Sequence, residues 1–425
     1  MRVALYTLGC KLNQAETESL AERLVQAGFQ VVSPDDQVDI YIANTCTVTH
    51  VADRKSRHAL RMARRANPRA LILATGCYAQ RSPADLTRLA DLVIDNEEKQ
   101  HLPALVRSLY AESTVHDRVT AQEPEVANTT ARTRSLVKIQ DGCHSPCAYC
   151  IVPAVRPLEQ SLPASAIIEQ VGRKVSLGYK EVVLTGTKVG SYRDGNTGLS
   201  DLIQAILTNT DIERLHLSSL QPGEVSPQLL ALWQDPRLCR HFHLALQSGS
   251  NSVLRRMMRS YSLEEYQKTL DLINDAVAGA AITTDIMVGF PGESDEEFAQ
   301  SHAFCQRAGF ASIHVFAFSP RPGTTAAIMP GQVDERIKQE RSRRMLELSR
   351  QSRRGFCEQF LGQTMPVLWE RETAPGSGIY SGLTGNYIRV YARSRDPLGN
   401  RITPARLVGF HGQAMQAEVA HEDQR

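Results

Sequence analysis

Short apolar runs recur along the chain, and the segments between them carry apolar residues at helical spacing. Through the first 100 residues the runs RVALYTL, VDIYIANT, ALILATG and DLVIDN alternate with AETESLAERLVQAGF and KSRHALRMARRA. Strands alternating with helices in this way predict an α/β class fold, here a doubly wound parallel domain over residues 1–115. The stretch AESTVHDRVTAQEPEVANTTARTRS, at 111–135, has almost no apolar periodicity, so residues 116–135 are expected to be a linker. Six further runs follow: SLVKIQ, EVVLTG, RLHLSSL, FHLALQ, AITTDIMVGF and SIHVFAFS. Helical patterns such as ASAIIEQVGRKVSLG, LSDLIQAILTN and SLEEYQKTLDLINDAV separate them. Six strand–helix units are too few to close an eightfold barrel, so a partial (β/α)6 barrel is expected over 136–355. It ends in a basic helical segment, RIKQERSRRMLELSRQSRR. Beyond it, TMPVLWE, GIYSGLTGNYIRVYAR and RLVGFHGQAMQAEVA alternate in the manner of a small antiparallel β-barrel, residues 356–421.

Composition narrows the function less than this pattern does. The chain has 425 residues, enough for two or three domains. Its 48 basic and 46 acidic side chains leave a net charge of +2, so any contact with nucleic acid must come from local patches. No stretch approaches the roughly 20 apolar residues of a membrane span, and MRVALYTLGC lacks the apolar core of a signal peptide. A cytoplasmic protein without membrane contact is expected. Nine cysteines in such a chain argue for metal or redox chemistry rather than a disulfide framework.

Three of those cysteines lie within DGCHSPCAYC, at 143, 147 and 150. The probability of that spacing arising by accident is on the order of 0.004. A structural zinc site would want a fourth ligand, and His144 is badly placed to share a tetrahedron with its neighbour. A four-iron cluster on three thiolates keeps one iron open, and an open coordination position is where chemistry occurs. Cys10, Cys46 and Cys77 sit in TLGCKLNQAETE, NTCTVT and ATGCYAQ, each following one of the first three predicted strands. In a parallel sheet the carboxyl ends of strands share one edge, so these three are expected to converge there as ligands of a second cluster. Three cysteines that merely fill gaps in the core are the alternative.

GCHSPCAYC, after the strand LVKIQ, resembles the CxxxCxxC motif of radical S-adenosylmethionine (SAM) enzymes. That resemblance implies a partial barrel of six strand–helix units, a [4Fe–4S] cluster on Cys143, Cys147 and Cys150, and SAM chelating its open iron. It also implies SAM cleavage to a 5′-deoxyadenosyl radical, with the protein supplying binding and orientation. Two three-cysteine sites with a small β domain behind them resemble the methylthiotransferase family over nearly the whole chain. LTGTKVGSY (184–192), LALQSGSNSVLRRMMRSYS (244–262), TDIMVGFPGESDEEF (284–298) and FAFSPRPGT (316–324) match it too. The last domain is similar to the family's TRAM module, an RNA-binding barrel.

TLGCKLNQAETE, NTCTVT and SGLTGNYIRV look most like the branch that adds a methylthio group to carbon 2 of threonylcarbamoyladenosine beside the tRNA anticodon. Carbon 2 of adenine offers neither an acidic proton nor a leaving group, so a radical route is needed. The resemblance implies two [4Fe–4S] clusters, two SAM molecules, tRNA as partner, and a reduced electron donor such as flavodoxin or ferredoxin. It assigns catalytic and metal-binding roles to Cys10, Cys46, Cys77, Cys143, Cys147 and Cys150. It places Tyr149, Thr185, Gly186, Gln247, Ser248 and Val288 at SAM. The sequence departs from the family at Pro157 and Gln160, after a retained Arg156, and at Gln221, where Glu is common. The other readings are methylthiolation of isopentenyladenosine in tRNA or of a ribosomal protein aspartate, and a non-catalytic iron–sulfur RNA-binding protein that would consume no SAM.

Weaker signals remain. DRKSRHALRMARR (53–65) and the 336–354 segment either grip tRNA phosphates or form solvated faces. Tyr387, Tyr391 and Phe410 either stack bases or fill the last domain's core. Asp285 is open to a substrate contact or a turn cap. Cys239, Cys305 and Cys357 are expected to be structural, and His241 with His243 makes a weak metal pair.

Overall fold

A computed structural model of the chain describes residues 1–113 and 133–420. Most of the expected linker, 116–132, lies outside the described residues. The chain divides into two compact units. The first holds 1–113 with Gly142–Ser145 and Cys150–Glu159; the second holds 133–141, Pro146–Tyr149 and 160–420.

In the first unit, five parallel strands, β1 (Arg2–Thr7), β2 (Gln30–Val32), β3 (Ile40–Thr45), β4 (Leu71–Gly76) and β5 (Leu92–Val93), stand in the order β2-β1-β3-β4-β5. β3 is buried along its whole length, as a strand covered on both faces must be. One face packs Val3, Leu20, Leu24, Ile40 and Ile42 together; the other packs Ala4, Tyr41, Leu60, Ile72 and Ala74. α1 (Lys11–Gln26) follows β1, and α2 (His50–Ala66) follows β3. The Thr49 hydroxyl caps α2 by accepting from the Ala52 amide at 3.1 Å. The short edge strand β2 was not expected, because its run of only three residues gives too little alternation to read.

The second unit begins at β6 (Arg134–Lys138) and continues through β7 (Glu181–Thr185), β8 (Arg214–Leu217), β9 (His241–His243), β10 (Ala281–Val288) and β11 (Ser312–Ala317). These are the six expected strands. They form two parallel three-stranded sheets, β8-β7-β6 and β9-β10-β11, joined by single bridges at Leu215–Leu238 and Leu220–Leu244. Their outward side chains and the surrounding helices make one large core that runs from Val137 to Leu348. A 24-residue helix, Glu335–Glu358, closes this part.

Five strands then form a closed barrel: β12 (Thr364–Glu372), β13 (Ile379–Thr384), β14 (Arg389–Arg393), β15 (Ile402–His411) and β16 (Ala414–Val419). Trp369, fully buried, is its core, and its indole N–H donates to Thr403 Oγ1 at 2.7 Å. The barrel is not purely antiparallel, since β14 and β16 pair in parallel at Val390–Met415. It docks on the amino-terminal ends of the central strands. There Arg214 donates to the carbonyls of Leu383 (2.8 Å) and Pro366 (2.7 Å), and Arg134 pairs with Glu370 at 2.9 Å.

Candidate functional site

β1, β3 and β4 are neighbours in the first sheet, and Cys10, Cys46 and Cys77 follow their carboxyl ends, so the topology brings the three to one edge. Two glycines make the approach possible. Gly9 adopts φ +101°, and a Cβ there would lie 2.8 Å from Cys46 Sγ; Gly76 adopts φ +96°, and a Cβ there would lie 2.4 Å from the Thr45 carbonyl oxygen. Cys10 occupies the N-cap position of α1 without using its side chain as a cap, which leaves the sulfur beside the positive end of a 16-residue helix. Burial pushes the Cys46 thiol up to about 12, and the nearness of Cys77 and Cys10 adds to the rise. Cys10 is the accessible member. Dense protein on its other sides still desolvates the thiol and raises its pKa, with Cys77 adding and Arg156 opposing.

Cys77 raises the pKa of both Cys10 and Cys46, and thiols crowded in this way gain from sharing a cation, so this donor set suits an iron–sulfur cluster. Among the described residues no three such groups are spaced for a single metal ion.

In the loop of the second trio, each sulfur accepts an N–H. The Ser145 amide reaches Cys143 Sγ at 3.4 Å, and the Val152 amide reaches Cys150 Sγ at 3.4 Å. Cys147 Sγ accepts from Arg259 Nη1 at 3.0 Å. Donors aimed at sulfur favour thiolates, so these residues also fit a cluster. His144 turns away, its ring nitrogen 2.6 Å from the Pro157 carbonyl.

Arg259 also reaches the Tyr149 hydroxyl (3.5 Å), Gln221 Oε1 (3.4 Å) and the Tyr261 hydroxyl (3.1 Å). Sequence reasoning did not single it out. It lies in a stretch that also holds Arg255 and Arg256, and nothing in the spacing says which arginine turns toward the cysteines. Gln221, the departure from Glu, therefore sits beside a residue that touches a candidate ligand.

The residues expected at SAM are dispersed along the same strand ends. Thr185 ends β7, and at Gly186 a Cβ would lie 2.8 Å from the Gln140 carbonyl. Gln247 has φ +69° and bridges to β10, accepting from the Met287 amide at 2.9 Å. The Ser248 hydroxyl is engaged with Ser301 at 3.1 Å and its amide donates to the Leu246 carbonyl at 2.9 Å; the Val288 side chain belongs to the large core, and its carbonyl accepts from the Phe318 amide at 2.9 Å. Asp285 pairs with His243 at 3.2 Å rather than capping a turn. His241 hydrogen-bonds His216 (2.8 Å) and Thr283 (3.0 Å) instead of standing ready for a metal.

Tyr387 leaves the list of base-stacking candidates: at φ +64° it lies flat against His216 and His241 and hydrogen-bonds Glu181 and His216. Tyr391 meets His411 edge-on, and Arg354 lies over the Phe410 ring. Cys239, Cys305 and Cys357 are buried. No helix among the described residues is long and apolar enough to cross a membrane.

Comparison with known proteins finds relatives along nearly the whole chain. Residues 2–95 match an uncharacterized protein family, UPF0004, and residues 137–305 match the radical SAM superfamily, which implies SAM and a [4Fe–4S] cluster. The chain is 34% identical to the threonylcarbamoyladenosine tRNA methylthiotransferase MtaB of Bacillus subtilis (strain 168), covering 96% of this chain and 93% of that one. It is 29% identical to the tRNA-2-methylthio-N(6)-dimethylallyladenosine synthase of Methylacidiphilum infernorum (isolate V4), with 96% and 93% covered. In fold it is similar to the radical SAM methyltransferase TsrM of Kitasatospora setae, at a TM-score of 0.57 and 12% identity over 77% of each chain. With a relative this similar along nearly its entire length, the chain belongs to the radical SAM methylthiotransferase family.

Proposed function

We infer that this protein adds a methylthio group to carbon 2 of threonylcarbamoyladenosine in tRNA, with SAM and two [4Fe–4S] clusters. The observation that carries this reading is end-to-end similarity, at 34% identity, to a relative named for that reaction. In this reading Cys143, Cys147 and Cys150 hold the SAM-binding cluster, and Cys10, Cys46 and Cys77 hold the second. When bound, these groups supply the electron, radical, sulfur and methyl chemistry that carbon 2 requires. The chain's own residues do the positioning. Gly9 and Gly76 let the strand ends approach, the start of α1 favours negative charge at Cys10, and Arg259 orients Cys147 and Tyr149. Residues 356–421 serve as a TRAM-like RNA-binding domain. The exposed Arg54, Lys55, Arg61 and Arg65 of α2, and Arg336 and Arg344 of the 335–358 helix, offer phosphate contacts. A reduced carrier such as flavodoxin or ferredoxin supplies the electrons.

The test is mass spectrometry of tRNA nucleosides from cells that lack the endogenous activity. With this gene, threonylcarbamoyladenosine is expected to gain a methylthio group, and the gain is expected to vanish in Cys143→Ala and Cys10→Ala. A gain on isopentenyladenosine instead would move the chain to the other tRNA branch.

A further inference from the structure

The inner face of the central strands is polar, and its layers differ in how they are closed. On β9, β10 and β11 the side chains of Phe242, Ile282, Ile286, Val288 and Ile313 pack outward into the helix-covered core. Alternation therefore turns His243, Asp285, Met287, His314 and Phe316 the other way. The lowest inner layer is sealed: His241 bonds His216 (2.8 Å) and Thr283 (3.0 Å), and the Tyr387 ring lies flat against both histidines. The next layers are open. There β10 and β11 pair Asp285 with His314 and, two residues nearer the strand ends, Met287 with Phe316. His314 is exposed, and Phe316 is a large apolar side chain left 48% exposed.

Packing does not account for these open layers. His243 Nε2 stands 3.2 Å from Asp285 Oδ1, the carboxylate side chain is 25% exposed, and its Oδ2 meets no partner among the described residues. The other nitrogen of His243, Nδ1, is buried without a hydrogen-bond partner among the described residues, which weakens the fold at this point. The His314 ring centroid lies 5.7 Å from that of His243. An acceptor oxygen, two imidazoles and an exposed aromatic ring thus share one face. Gln247, expected at SAM, joins the same strand: its amide donates to the Asp285 carbonyl at 2.8 Å and its carbonyl accepts from the Met287 amide at 2.9 Å.

Threonylcarbamoyladenosine and isopentenyladenosine differ only in the group on N6. The first carries ureido N–H groups, a hydroxyl and a carboxylate; the second carries hydrocarbon. We propose that Asp285, held by His243 and faced by His314, is the specificity-determining acceptor for a polar N6 substituent, and that Phe316 is the platform on which the adenine stacks. This rests on the reading of the chain as a tRNA adenosine methylthiotransferase. Two residues of strand, about 7 Å, separate the Phe316 and Asp285 layers, so a purine on Phe316 brings its N6 group to the carboxylate. Asp285 Oδ2 accepts from the hydroxyl or a ureido N–H, and an N–H of His314 donates to the substituent's carboxylate. A hydrocarbon group would cover these polar atoms without pairing them, which is how a site built for hydrogen bonds rejects an apolar analogue. Stacking on Phe316 is indifferent to the N6 group, because the adenine face is common to both.

The experiment measures, at one salt concentration, the affinity of the full reconstituted chain for two tRNAs of identical sequence, one bearing threonylcarbamoyladenosine and one isopentenyladenosine. The parent is expected to prefer the first. Asp285→Asn keeps the size of the side chain and replaces one accepting oxygen by a donor; it is expected to weaken binding of the first tRNA roughly tenfold to a hundredfold and to leave the second within about twofold. His314→Phe is expected to shift the ratio in the same direction, whereas Phe316→Leu weakens both tRNAs alike, about tenfold. Methylthiolation of threonylcarbamoyladenosine is followed in the same preparations, and bound iron reports that each variant has folded. A parent that performs that reaction yet binds the two tRNAs equally overturns the inference and leaves the reaction standing, as do Asp285→Asn and His314→Phe proteins that keep the parent's preference. A parent that leaves threonylcarbamoyladenosine unmodified overturns the functional reading on which the inference rests. Should Asp285→Asn hold no iron, His314→Phe carries the same comparison.

Discussion

Gly76 sets the geometry of the first trio more tightly than any side chain there. Its φ of +96° and the 2.4 Å gap to the Thr45 oxygen leave no room for a methyl group. Gly76→Ala is expected to cost about 2 kcal/mol or more in chemical denaturation and to lower the iron bound by the first trio, while Gly28→Ala, where nothing lies within 4 Å, pays only for its φ of +89° and leaves iron content unchanged. At this scale the cysteines were legible because each follows a strand and two follow a glycine. Glu16 and Lys99 were not. They are 83 residues apart, Glu16 lies in TLGCKLNQAETE with nothing there to mark its partner, and only the packing of α1 against the segment after β5 brings Lys99 Nζ to its carboxylate at 2.6 Å. Tyr387 stayed open between base stacking and the core for a related reason, since an aromatic near a turn gives no hint that histidines on two distant strands await it.

Among the elements, strands and helices followed the hydropathy pattern closely, but the faces of charged helices did not. The 335–358 helix reads as predominantly basic, yet Arg341 turns inward to Glu293 (2.8 Å) and Asp295 (2.8 Å), and Lys338 covers Phe318. Counting charge along a helix reports its sign and not its direction, so part of the apparent RNA-binding patch is structural. The helix at Asp295–Ala308 shows the same economy. Ser294 and Glu297 form its capping box, and Glu297 also pairs with Arg256 at 2.6 Å. The Arg256 guanidinium, with Ser252 and the Ser294 amide, lowers the Glu297 pKa from the usual 4.5 to about 2. A carboxylate held down in the folded state contributes its full stability above its ordinary pKa and loses it as the pH falls through the folded value. The stability difference between the protein and Glu297→Gln is therefore expected to be about 1–2 kcal/mol at neutral pH, after allowance for solvent screening, and to fade between pH 4.5 and about 2 in urea titrations. A difference that persists at the acid end would mean that the cap, not the charge, carries it.

Over the whole molecule, three signals of different reach agree: cysteine spacing inside ten residues, three cysteines gathered by a parallel sheet, and a closed five-stranded barrel at the end of the chain. The spacing and the strand pattern made the architecture readable, whereas the substrate is set by surfaces that no local pattern announces. The central claim is therefore tested most directly in solution. Reconstituted protein, a chemical reductant and SAM with a deuterated methyl group are incubated with tRNA bearing threonylcarbamoyladenosine and, separately, with tRNA bearing isopentenyladenosine. The account predicts deuterated methylthio on threonylcarbamoyladenosine alone. SAM cleavage that leaves threonylcarbamoyladenosine unlabelled, or label appearing on isopentenyladenosine, would contradict it.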